Sequence, residues 1–123
     1  MPREDEHRTK AQRNEDFAAS LNLRDPTCEN WAVVAAFYSA LHYVESYLGK
    51  YRVRAGKHEL RFHEILEDPR LKPAYTSYKY LYELSRTARY YCKGLPDQPY
   101  SKEAKPHLAV VKRQVEHALG ESS

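Results

Sequence analysis

Three pairs of polar residues stand three positions apart along this chain: His42 and Glu45, His58 and Arg61, Arg86 and Arg89. On a helix that step puts both members of a pair on one face. An inward carboxylate or imidazole needs a partner. Arg89 is the partner expected for Glu45, in a charge-assisted contact that makes burial of both tolerable. Tyr38, Tyr78 and Tyr82 would complete the hydrogen bonding, with Ser85 on the same inward stripe as Arg89 and Arg86 at its edge. Two readings are open. The set is either a buried network that fixes helix register, or a ligand site made of Tyr38, His42, Glu45, His58, Arg61, Tyr82, Arg86 and Arg89. Arginine, histidine and tyrosine together suit phosphate and base recognition. An arginine and a histidine can also cleave RNA without metal, through acid and base steps on the 2′-hydroxyl. The candidates for that chemistry are His42, His58, Arg86 and Arg89.

Other chemistries lack their signatures. There is no GxxxxGK[ST] phosphate loop, no GxGxxG, no GxSxG elbow and no carboxylate cluster suited to magnesium, so no cofactor is expected. HELRFH, from His58 to His63, approximates a zinc-binding HExxH but spaces its histidines by five residues. Five residues turn a helix through about 500°, leaving the imidazoles roughly 140° apart and unable to chelate one ion. No metal site is expected.

The bulk composition narrows the setting. The chain has 123 residues, with 20 Lys and Arg against 17 Asp and Glu, a net charge of +3 that permits an anionic partner without demanding one. Its two cysteines, Cys28 and Cys92, form no CxxC and read as free thiols in a reducing compartment. The charged opening MPREDEHRTKAQRNED has no apolar signal region, and no run reaches the roughly 18 apolar residues of a membrane span. A soluble, cytoplasmic protein with no membrane partner is expected. Eleven tyrosines, against three Phe and one Trp, favour a half-wet interface with a copy of itself or with a ligand.

The elements that must position these residues are helices. Periodicity near 3.6 recurs along the chain and no alternating strand pattern appears, which predicts an all-α, up-and-down bundle of four to five helices in a single domain. The spine is Thr27 to Gly49, started by Asp25 as cap and Pro26 at the first position. Its inward arc holds Trp31, Val34, Ala35, Phe37, Tyr38, Leu41, Val44 and Leu48, with His42 and Glu45 inside it. A first helix is expected from about Glu4 to Leu21, striped by Ala11, Phe17, Ala18 and Leu21. Residues 1–10 read as frayed, and its charge run as a solvated face in preference to a binding arm. Lys50, Arg52, Arg54 and Lys57 form a basic connection, either merely solvated or able to meet a phosphate backbone. A short helix from His58 to Glu67 groups His58, Phe62 and Ile65. The next, Ala74 to Tyr91, turns Tyr75, Tyr78, Leu81, Tyr82, Ser85 and Ala88 inward. The last, Lys102 to Leu119, aligns Ala104, Leu108, Val111, Val115, Ala118 and Leu119, and residues 120–123 form a tail.

NWAVVAAFYSALHYVESYL, then His58, then YKYLYELSRTARYY resembles the HEPN superfamily of small helical domains over residues 28 to 92. The matching positions are Phe37, Tyr38, His42 and Leu48, followed by Leu81, Leu84, Arg86, Ala88 and Tyr90. The resemblance implies a helical bundle that forms homodimers. Members act as metal-independent endoribonucleases in toxin–antitoxin or defence systems, or as non-catalytic modules that bind RNA, a nucleotide or a cognate protein partner, including antitoxin and scaffold subunits. Catalytic members carry Arg, four to six residues, then His near the end of a late helix. Here Arg86 and Arg89 are followed by Tyr91, Cys92 and Lys93 with no histidine, and the one formal match, Arg52 with His58, lies between the second and third helices. The resemblance therefore implies a binding module first and a nuclease second.

Overall fold

The long helix begins where Asp25 and Pro26 place it. The Asp25 carboxylate accepts from the Thr27 amide at 2.9 Å, and Pro26 occupies the first turn, where a missing N–H costs nothing. In the computed structural model, which describes residues 4–51, 53, 56–90 and 94–120, this helix runs Pro26–Lys50. We label it α2. Around it stand α1 (Glu4–Ser20), α3 (His58–Glu67), α4 (Tyr75–Tyr90) and α5 (Lys105–Ala118). Two short turns complete the set, a 3₁₀ turn at Lys72–Ala74 and a π-helical turn at Pro99–Ala104. The fold is an all-α bundle of five helices. The basic residues Arg52 and Arg54, with the Arg52 to His58 spacing, lie outside the described residues, as do Tyr91 and Cys92.

Between Ala32 and Leu48 only Tyr38 and His42 of α2 escape full burial. Such all-round burial is what a central helix shows, in contrast to the single stripe of a peripheral one. Alanines at 32, 35, 36 and 40 let neighbours come close, and Ala11 and Ala18 of α1 are wholly buried. Ser39 seals the α1–α2 seam by donating to the Ala11 carbonyl at 2.8 Å. α2 also packs on α4, α5 and the π-helical turn, whereas the backbone of α3 approaches α4 and the 3₁₀ turn and keeps away from α2.

Two expected core residues lie outside. Trp31 is 57% exposed and Phe17 is 50% exposed. Near the start of α2 and the end of α1 an apolar type at the right angle is only partly covered by its neighbours. Three tyrosines went the other way. Tyr43, Tyr47 and Tyr100 are buried, and Tyr78 is buried as its stripe predicts. The Tyr43 hydroxyl donates to Glu15 at 2.8 Å and the Tyr47 hydroxyl to Asp68 at 2.7 Å, so their polar tips end on acids at the bundle rim. Lys112 of α5 meets the same Glu15 at 3.1 Å.

The last helix starts later than its periodicity suggests, because Pro99–Ala104 winds as a π-helical turn before α5. The turn follows Gln98, in the left-handed region at φ 45°, and is fixed by a side chain from α2. Glu29, 7% exposed, accepts the Tyr100 amide at 2.8 Å and the Ser101 amide at 3.4 Å. Removing that carboxylate leaves a buried amide without a partner. Glu29→Ala should cost about 2–3 kcal/mol in urea unfolding, and Glu29→Gln, which can still accept, should cost visibly less.

Candidate functional site

Glu45 is 8% exposed on the face of α2 that looks toward α3. Its partner is Arg61 of α3, whose Nε donates to Glu45 Oε1 at 2.5 Å. The expected contact with Arg89 is not formed. Arg61 is itself buried, at 6% exposure, whereas Arg89, at the end of α4, reaches α2 at Tyr38, about two turns before Glu45. The Arg61 Nη1 lies 3.1 Å from His58 Nδ1. A guanidinium only donates, so His58 Nδ1 accepts and the ring proton sits on Nε2. Burial, then Arg61 and Arg89, hold His58 below the usual histidine range.

Aromatic rings pack around this chain of polar contacts. His58 lies 5.0 Å from the Tyr82 ring and 6.0 Å from Phe37, and Phe62 meets Tyr82 edge-on at 5.1 Å. The shared side of His58, Phe62 and Ile65 is thus an aromatic contact with α4. Tyr78 is fully buried and its hydroxyl has no hydrogen-bond partner of good geometry among the described residues; nor has that of Ser85. Burial pushes the Tyr78 phenol up, against the opposing pull of Arg61.

His42 takes a partner that periodicity did not single out. Its Nδ1 lies 3.0 Å from Nδ1 of His7, and the two rings stack with centroids 5.2 Å apart. A hydrogen bond at that distance needs one Nδ1 that carries a proton and one that is bare, and since burial disfavours the charged form of both rings the pair is best described as neutral with complementary tautomers. Burial, His7, Lys10 and Arg61 push His42 down to about 4, and burial lowers His7 while Glu45 pulls it upward. The charged start of α1 is therefore not wholly a solvated face. His7 was hidden because every residue from Arg3 to Thr9 is charged or polar, and hydrophobic periodicity cannot mark an imidazole that turns inward.

Arg89 and Arg86 belong to the outer part of the site. Arg89 donates from Nη1 to the Tyr38 hydroxyl at 3.2 Å and from Nε to the Ser85 carbonyl at 3.3 Å. Its guanidinium lies over the rings of Tyr38 and Tyr90, at 5.8 and 5.0 Å. Exposed Arg86 lies 5.8 Å over the Tyr82 ring. Neither arginine has a carboxylate partner among the described residues. The eight proposed site residues thus divide. Glu45, Arg61, His58 and His42 are committed to partners inside the bundle, while Tyr38, Tyr82 and Arg89 are half-buried at its edge, Arg86 is exposed, and neither arginine is paired with an acid among the described residues. Among the described residues no three His, Cys, Asp or Glu side chains gather as a metal site would need, and no helix is long and apolar enough to cross a membrane.

Two outcomes test this division. Glu45→Ala leaves the Arg61 charge buried and unpaired and should cost about 3–5 kcal/mol by urea titration, whereas the double change Glu45→Leu with Arg61→Met should recover most of the loss. The second concerns pH. The folded value of His42 lies below the unfolded 6.5, so on acidification the unfolded chain binds the proton first; this contribution is complete above about pH 6.5 and is lost as pH falls toward about 4. Because the ring is only half-buried, the effect should be about 1–2 kcal/mol. Melting temperature should fall between pH 6.5 and 5, and His42→Gln should flatten that slope.

Compared with protein-family models, with curated proteins and with solved structures, the chain matches none.

Proposed function

We propose that the chain is a HEPN-like binding module, working as a homodimer, whose α2–α4 surface contacts RNA through its phosphates and does not cleave it. The observation that carries this reading is Arg89 held between Tyr38 and Tyr90 beside exposed Arg86, two guanidiniums on aromatic faces with no carboxylate to neutralise them among the described residues. Arg89 uses Nε and one Nη1 hydrogen within the chain and keeps its other three N–H donors for a phosphate, and aromatic neighbours give bases a surface to stack on.

The nuclease reading stands behind it. A general base needs a lone pair, and the His58 Nδ1 lone pair is already taken by Arg61, while His42 has one to offer only at Nε2, in the tautomer whose Nδ1 donates to His7. Arg61, the guanidinium nearest to a histidine, is bound to Glu45.

Anisotropy of a labelled single-stranded RNA tests both. Affinity should fall steeply with salt, and Arg86→Ala with Arg89→Ala should lower it while reducing the slope of log affinity against log salt by about one per arginine. The RNA should stay intact in EDTA. Cleavage that survives EDTA and disappears in a folded His58→Ala variant would select the nuclease instead.

A further inference from the structure

Trp31 is the only tryptophan in the chain, and more than half of it is in water. It does not stand alone. Beside it is a cleft of about 220 Å³ lined by Thr27, Asn30, Trp31 and Val34 from the first turns of α2 and by Ala88 and Arg89 from the end of α4. The lining is divided by chemistry. Trp31, Val34 and Ala88 make an apolar wall with one large flat ring, and Arg89 brings a cation to the other side. Among the described residues neither the Asn30 amide nor the Thr27 hydroxyl has a side-chain partner. An amide both donates and accepts.

A planar ring, a free amide and an unneutralised guanidinium around one small cleft match a planar, hydrogen-bonding ligand that carries a negative charge. Resting on the RNA-binding reading above, we propose that this cleft takes one unpaired nucleobase of single-stranded RNA, stacked on Trp31, with Asn30 at its edge and its phosphate on Arg89. A base in a duplex offers its face to its neighbours in the stack and its pairing edge to the opposite strand. Only an unpaired base can offer both to a protein. The consequence is a preference for single strands, which phosphate contacts alone would not produce.

Because Trp31 is the sole indole, its emission reports on the cleft directly. Titration with an unstructured single-stranded RNA should quench it, and a duplex of the same length should leave it nearly unchanged and bind more weakly. Trp31→Ala should weaken single-strand binding about ten-fold by anisotropy with little effect on the duplex, and Trp31→Phe should retain most of it. Both variants should melt like the parent chain, since the ring is exposed. Equal binding of single and double strands with unchanged emission would overturn the cleft proposal and leave the phosphate-binding reading standing. Absence of binding to any RNA at low salt would overturn the binding reading and this proposal together. Emission that shifts with protein concentration and not with RNA would make the occupant a second copy of the chain, and would overturn it too.

Discussion

A carboxylate in the middle of the most buried helix is the constraint on which this bundle depends. Glu45 cannot be left unpaired in the core, and Arg61 answers it from the one helix whose backbone does not pack on α2. The position of α3 is therefore set by side chains. Arg61 reaches Glu45, His58 follows Arg61, and the rings of His58 and Phe62 settle against Phe37 and Tyr82. In an apolar bundle a short helix could slide along its neighbours with little penalty. A buried ion pair has one register in which both charges are satisfied.

The same economy of charge separates the inside of the site from its outside. His7 and His42 share a hydrogen bond as neutral rings, and His58 is held neutral beside two guanidiniums. Positive charge accumulates instead at the end of α4, where Arg86 and Arg89 are supported by tyrosine rings and not by acids. A surface whose charge is left unanswered by its own protein is suited to an anion from elsewhere.

Hydrophobic pattern and caps were enough to read the helical architecture. Asp25 and Pro26 mark the start of α2 in the sequence as they do in the fold, the stripe of α5 turns inward at the expected residues, and that of α4 does so at Tyr78, Leu81 and Ser85 with Ser77 and Leu84 added. Pairing was harder to read. That Glu45 needs a cation is evident from its place in an apolar arc, but whether Arg61 or Arg89 supplies it depends on how far along α2 each helix lies, which periodicity does not encode. Angle around a helix is likewise not the same as burial. Trp31 has the right angle and is still more than half exposed, and His7 has a polar context and a half-buried partner. The π-helical turn at Pro99–Ala104 has no sequence signal of its own, since it is held by Glu29 from 71 positions away.

The way α3 is attached gives it a particular kind of stability. Local opening of a peripheral helix is ordinarily resisted by small increments of apolar contact, so it frays by degrees. Lifting α3 would separate Arg61 from Glu45 and leave a bare charge in the α2 face, an abrupt rise in energy at the first displacement. α3 is thus held by a contact that is either made or lost, more than by graded packing. What the ion pair confers on this small bundle is a threshold.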